Sequence, residues 1–159
     1  MTAPSPLIGP AEAAAYAALP PPVPHTRAEL DALLTLLTRA GSRTVVIGHS
    51  RDSASRAAAS AFATTWRSQG GEVLDTVDWP EQAASWLRPA RRLTAHTPDA
   101  WVIAAAPLGW AQMSRRLLRS TSWTPYRTCA FASLAPLPSN PDGLRGATPE
   151  GAVWEPGQN

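Results

Sequence analysis

The sequence predicts an α/β protein: a three-layer α/β/α sandwich whose mostly parallel sheet makes a single Rossmann-like lobe. Three observations predict it. Thr44-Val45-Val46-Ile47 and Trp101-Val102-Ile103-Ala104 are short, continuous apolar runs, the pattern of strands buried on both faces. Segments with helical spacing alternate with such runs, which a parallel sheet with helical crossovers requires. Of 17 prolines, only Pro80, Pro89, Pro98 and Pro107 fall between His25 and Trp123, so this stretch is free to form helix and ladder interiors.

Each element has a local reason. Thr26-Arg27-Ala28-Glu29 is a capping box, and Leu30, Leu33, Leu34 and Leu37 follow at helical spacing until Gly41. The strand Thr44-Val45-Val46-Ile47 ends at Gly48. Residues 55–69 form an Ala-rich helix with Phe62 and Trp66 four apart, stopped by Gly70-Gly71. Residues 72–77 alternate as a strand. Asp78, Pro80 and Glu81 predict the start of another helix, shortened or kinked by Pro89. Residues 101–104 are the next strand. Residues 108–120 form a helix with Arg115, Arg116 and Arg119 near its C-terminal end, which suits the helix dipole. Residues 128–132 make the last strand. The chain therefore divides into a Pro/Ala-rich N-terminal segment (1–25), an α/β lobe (26–133) and a Pro/Gly-rich tail (134–159) with room for a return strand.

Composition excludes several classes. A chain of 159 residues fits one domain. Only 16% of it is charged, below the usual ~25%, which argues against charge-driven disorder. All 14 basic residues are Arg, so no function that needs a P-loop or Schiff-base lysine is open. The formal charge of +2 comes without a basic cluster, so no nucleic-acid partner is expected. The lone Cys129 excludes a disulfide framework and reads as a small buried hydrophobe. His25, His49 and His96 have no metal-ligand spacing, so neither metal nor cofactor is expected. No apolar run approaches the ~18 residues of a membrane span. The N-terminus lacks a basic n-region followed by an apolar run. A cytoplasmic location is expected for the chain as written, and an extracytoplasmic one if it is part of a secreted receptor.

Ligands of open α/β sheets bind beyond the C-terminal ends of the strands. That selects residues 48–53, 105–110 and 133–136, and within them His49, Ser50, Ser53, Ala106, Pro107, Trp110 and Ser133 as ligand-binding candidates. The start of the helix after Ser50 offers free N–H groups to a carboxylate, although Asp52 or Ser53 also suits its N-cap. Trp110, Trp101 and Trp86 could form an aromatic wall, or simply fill the core. Gly48-His49-Ser50-Arg51-Asp52 nearly spells a nucleophile elbow, but Asp52 stands where a small residue is needed and His96 is the only later histidine. Arg88, Arg91 and Arg92 make a modest basic face.

The stretch from Thr44 through His49-Ser50-Arg51-Asp52 to Gly70-Gly71-Glu72-Val73, continued by Thr97-Pro98-Asp99-Ala100-Trp101-Val102, resembles the second lobe of type I periplasmic-binding proteins. Within that group it is most similar to the leucine-binding-protein-like solute receptors of ABC importers. Leu7-Ile8-Gly9-Pro10 with the following Ala-rich stretch resembles a piece near the end of the first lobe. Gly143-Leu144-Arg145-Gly146 resembles the strand returning toward the hinge. The resemblance implies a non-catalytic module for amino-acid transport that binds a small amino-acid-like solute. It also implies a first lobe almost absent here. His49 replaces a usual acidic residue, Ser53 replaces a ligand-contacting aromatic, and Ala106-Pro107 occupies a ligand-contacting stretch. Two alternatives stand beside the solute-binding module. One is an interaction domain that has lost its ligand and meets another chain through the surface that once met the first lobe; a protein partner or a second copy supplying that lobe is also open. The other is a small serine hydrolase using Ser50.

Overall fold

The computed structural model describes residues 7–135, 137–138 and 140–156. Five helices and six strands follow in the order α1 (Pro10–Ala17), α2 (Arg27–Arg39), β1 (Thr44–Ser50), α3 (Ser53–Ser68), β2 (Glu72–Trp79), α4 (Leu87–Leu93), β3 (Ala100–Ala104), α5 (Pro107–Ser120), β4 (Thr128–Ala130), β5 (Arg145–Ala147) and β6 (Val153–Trp154). The strands form one sheet in the order β2-β1-β3-β4-β5-β6. The pairs β2–β1, β1–β3, β3–β4 and β4–β5 are parallel, and β6 is antiparallel to β5. The expected three-layer α/β/α sandwich with a mostly parallel sheet is the fold observed.

Strand side chains alternate between two cores. Val45, Ile47, Val102 and Cys129 face α2 and α3, where they meet Leu33, Leu37, Phe62 and Trp66. Val46, Val77, Trp101 and Ile103 face α4 and α5 and a tryptophan-rich layer of Trp79, Trp86, Trp110 and Trp123. These tryptophans fill the core rather than lining a ligand wall. Trp110 meets Trp79 with ring centroids 6.1 Å apart and Trp123 edge-on at 5.8 Å. Its indole N–H donates to Asn140 Oδ1 at 3.2 Å. Trp101 donates to the Leu93 carbonyl at 2.8 Å and Trp86 to that of Pro80 at 3.1 Å.

The ends of the chain join this packing. Tyr16 of α1 is buried in the tryptophan-rich core. Arg115 of α5 forms an ion pair with Glu12 of α1 and donates to the Leu7 carbonyl at 3.0 Å. The Glu12 carboxyl lies below its usual range, chiefly through that hydrogen bond from Arg115. At the other end Leu144 and Trp154 enter the same core, while Ala147 enters the opposite one.

The structure corrects three expected elements. β1 runs on to Ser50, because His49 and Ser50 still pair with Asp78 and Trp79 of β2. No helix begins at Pro80. Residues 80–86 are irregular, α4 starts at Leu87, and Pro89 sits in its first turn, where its missing N–H has no intrahelical acceptor anyway. β4 stops at Ala130 and is not the last strand. The Ala132 N–H turns away from the ladder to Glu29 Oε2 at 2.8 Å, and a short 3-10 turn, Ala132–Leu134, follows.

Candidate functional site

The strand order changes direction at β1, with β2 on one side and β3 on the other, and ligands of such sheets gather at this switch point. Here Ser50 bridges it. The Ser50 hydroxyl at the end of β1 donates to Asp52 Oδ1, lies 3.1 Å from Ser55 Oγ, and accepts the Ala106 N–H beyond β3 at 2.9 Å. Ser50 is fully buried. A nucleophile elbow needs an exposed hydroxyl with a histidine to take its proton, so the hydrolase expectation is corrected. The Ser50 hydroxyl is a structural tie between two strand ends.

The other candidates take different places. His49 is half-buried, with Nδ1 2.7 Å from the Ser50 carbonyl. Ser53 is exposed on the first turn of α3 and Ala106 is half-buried before α5. Trp110 is fully buried in the core. Pro107 and Ser133 do line a cleft. Pro136, at the far end of the third expected stretch, lies outside the described residues.

That cleft measures about 310 Å³, within the range of small-molecule sites. One wall is the proline-rich strap of residues 19–24. The cleft is also lined by the first turns of α3, through Ala54, Ser55 and Ala58, and by Ala104 and Phe131 from the strand ends. Thr26 and Glu29 from the start of α2 and Pro107 of α5 line it as well. Three helix N-termini therefore converge on it. His25 sets its ring edge-on to Phe131, 5.9 Å between centroids.

Most polar groups around this end of the sheet are engaged, but His25 Nδ1, in the cleft lining, is buried without a partner. Thr26 accepts the Glu29 N–H at 3.1 Å and Glu29 Oε1 accepts the Thr26 N–H at 3.3 Å, which is the expected capping box. Asp52 caps α3 by accepting the Ser55 N–H at 2.9 Å. Glu81, from the irregular stretch after β2, reaches α5 and accepts the Gly109 N–H at 2.9 Å. A Cβ at position 109 would collide with Glu81 Oε2, so only glycine admits this approach. Glu81 Oε2 is itself buried without a partner. Burial pushes the Glu81 carboxyl up to about 7 against the Gly109 N–H, which pulls it down, with the neighbouring Asp52 adding a smaller upward push. Away from the cleft, Asp99 is held below its usual range by the N–H groups of Arg43 and Thr44.

Sequence reasoning missed the strap, Glu29 and Phe131 as site residues. The prolines of residues 20–24 were a visible signal, but of a loose end rather than a wall. Among the described residues no group of His, Cys, Asp or Glu could hold a metal ion. No described helix is long and apolar enough to cross a membrane.

No family model and no curated protein matches the chain. Solved structures similar to it include two ligand-binding proteins. One is a substrate-binding periplasmic protein from Ralstonia solanacearum, 17% identical with a TM-score of 0.60, covering 71% of this chain and 32% of that one. The fold is periplasmic-binding-protein-like. The other is an extracellular ligand-binding receptor from Rhodopseudomonas palustris, 16% identical with a TM-score of 0.64, covering 79% of this chain and 36% of that one. The chain thus spans about a third of the length of each of these neighbours. At these identities the likeness is one of fold.

Proposed function

We propose that the chain is a non-catalytic binding module for a small solute, held in the cleft between the proline strap and the N-termini of α2, α3 and α5. The observation that carries this is the cleft itself. It is concave, about 310 Å³, and placed beyond the strand ends where open α/β sheets take their ligands. The two similar structures are described as a substrate-binding protein and a ligand-binding receptor, which supports the same reading. Pro107 and Ser133 are wall residues of the proposed site; His49, Ser53 and Ala106 are not among its lining residues. The amino-acid-type solute implied by the sequence resemblance is one arm of the test.

The test is thermal unfolding of the purified chain against amino acids, small carboxylates and uncharged analogues. A ligand at 100 times its dissociation constant adds about 2.7 kcal/mol of apparent stability, or several degrees in Tm for a chain this long. A shift confined to one chemical class supports the reading. A flat response from a cooperatively unfolding protein overturns it.

A further inference from the structure

Helix N-termini at the open end of an α/β sheet are where anions bind, on free N–H groups and the positive end of the helix dipole. Three of them converge on this cleft, and each already carries a carboxylate of the chain itself. Glu29 serves α2, and its second oxygen takes the Ala132 N–H, leaving neither oxygen free. Asp52 serves α3, with one oxygen on the Ser55 N–H and the other on the Ser50 hydroxyl. Glu81 serves α5. At α2 and α3, the place where a ligand carboxylate or phosphate would sit is met by a carboxylate of the chain.

Among the described residues the rest of the wall offers one polar side-chain group without a partner, His25 Nδ1, which can make a single hydrogen bond. No Arg lines the cleft, and the chain has no Lys. Ser133 Oγ donates to the Ala105 carbonyl at 2.7 Å, Thr26 Oγ1 donates to the Pro149 carbonyl, and Ser55 Oγ is held by Ser50. An ammonium group finds no free carboxylate there either, since both Glu29 oxygens are engaged. What remains facing the space is mainly proline and alanine with Leu19, Val23 and Phe131, and the His25 ring. Burying a charge without a partner is far costlier than burying apolar surface is favourable.

We propose that the occupant of the cleft is an uncharged, largely apolar small molecule, and that the chain's own helix-capping carboxylates exclude free carboxylates, phosphates and zwitterions. This rests on the cleft being the binding site argued above.

Two fluorescent probes test it. N-phenyl-1-naphthylamine and 8-anilinonaphthalene-1-sulfonate share one aromatic body and differ by the sulfonate. The neutral probe is expected to bind saturably at one site, and the sulfonate at least about tenfold more weakly, because its charge meets the carboxylates at α2 and α3 and no Arg or Lys. Ala54→Trp and Ala135→Trp, at two separate positions of the cleft lining, fill it, and each is expected to abolish saturable binding of the neutral probe while thermal unfolding stays cooperative. Having two variants covers the case in which one of them misfolds. Equal or tighter binding of the sulfonate overturns the exclusion of charge and leaves the binding module standing. Binding of neither probe, or binding that survives in a folded cleft-filled variant, overturns both.

Discussion

Glu81 shows how one residue can couple two distant parts of the chain. It belongs to the loop after β2, yet its carboxylate caps α5 and leaves one oxygen buried without a partner. Its carboxyl titrates near 7 in the folded chain against an ordinary 4.5. The folded state therefore binds this proton more tightly than the unfolded one. The stabilisation is fully present below about 4.5 and is lost as pH rises through about 7. Glu81→Gln is expected to match wild type at pH 4 and to exceed it at pH 8 by on the order of 2 kcal/mol. Thermal unfolding of both proteins across that range is the check, and parallel curves would sink the assignment. Ser50 makes a second case. Ser50→Ala removes the acceptor of the Ala106 N–H and a partner of both Asp52 and Ser55. A loss of about 1–3 kcal/mol is expected in urea unfolding, with faster hydrogen exchange at Ala106. No change at that amide would mean the bridge across the strand ends does not form.

At the scale of elements, what was legible was local. The capping box of α2, the buried runs of β1 and β3, and the Gly70 stop after α3 each carry their signal within a few neighbouring residues. What was illegible depends on the fold. Asp78, Pro80 and Glu81 have the composition of a helix start, but Glu81 is drawn across to α5 and Trp86 donates back to the Pro80 carbonyl. The chain stays irregular there until Leu87. Pro89 then falls in the first turn of α4, where it breaks no helical hydrogen bond. Pro89→Ala is accordingly expected to leave stability within about 0.5 kcal/mol of wild type. A larger destabilisation in urea would show that the ring's packing matters. The cleft was half legible for the same reason. Pro107 and Ser133 follow from the rule about strand ends, whereas the strap becomes a wall only once α1 has docked on α5 and turned residues 19–24 back over the sheet.

Across the whole molecule, the sheet is completed from sequence-distant pieces. β5 and β6 extend it, and Gly146 is where they meet β4. A Cβ there would strike both the Ala130 carbonyl and the Trp154 ring, and backbone cannot yield as a flexible side chain can. Gly146→Ala is expected to cost about 2 kcal/mol or more and to loosen the last two strands first. Limited proteolysis should then cut after Ala130 before it cuts in β1 or β3; cleavage in all strands together would argue against a separable edge. Cys129 lies in the middle of β4, almost fully buried. Burial pushes its thiol up to about 11, so both access and ionisation oppose its reaction near neutrality. The chain thereby carries a clock. Alkylation by iodoacetamide can proceed only in molecules whose sheet has opened, so the labelling rate counts opening events at the strand that joins the two halves of the sheet. If a ligand in the cleft stabilises the fold, it should slow that clock in proportion to its occupancy, without any probe being added to the protein.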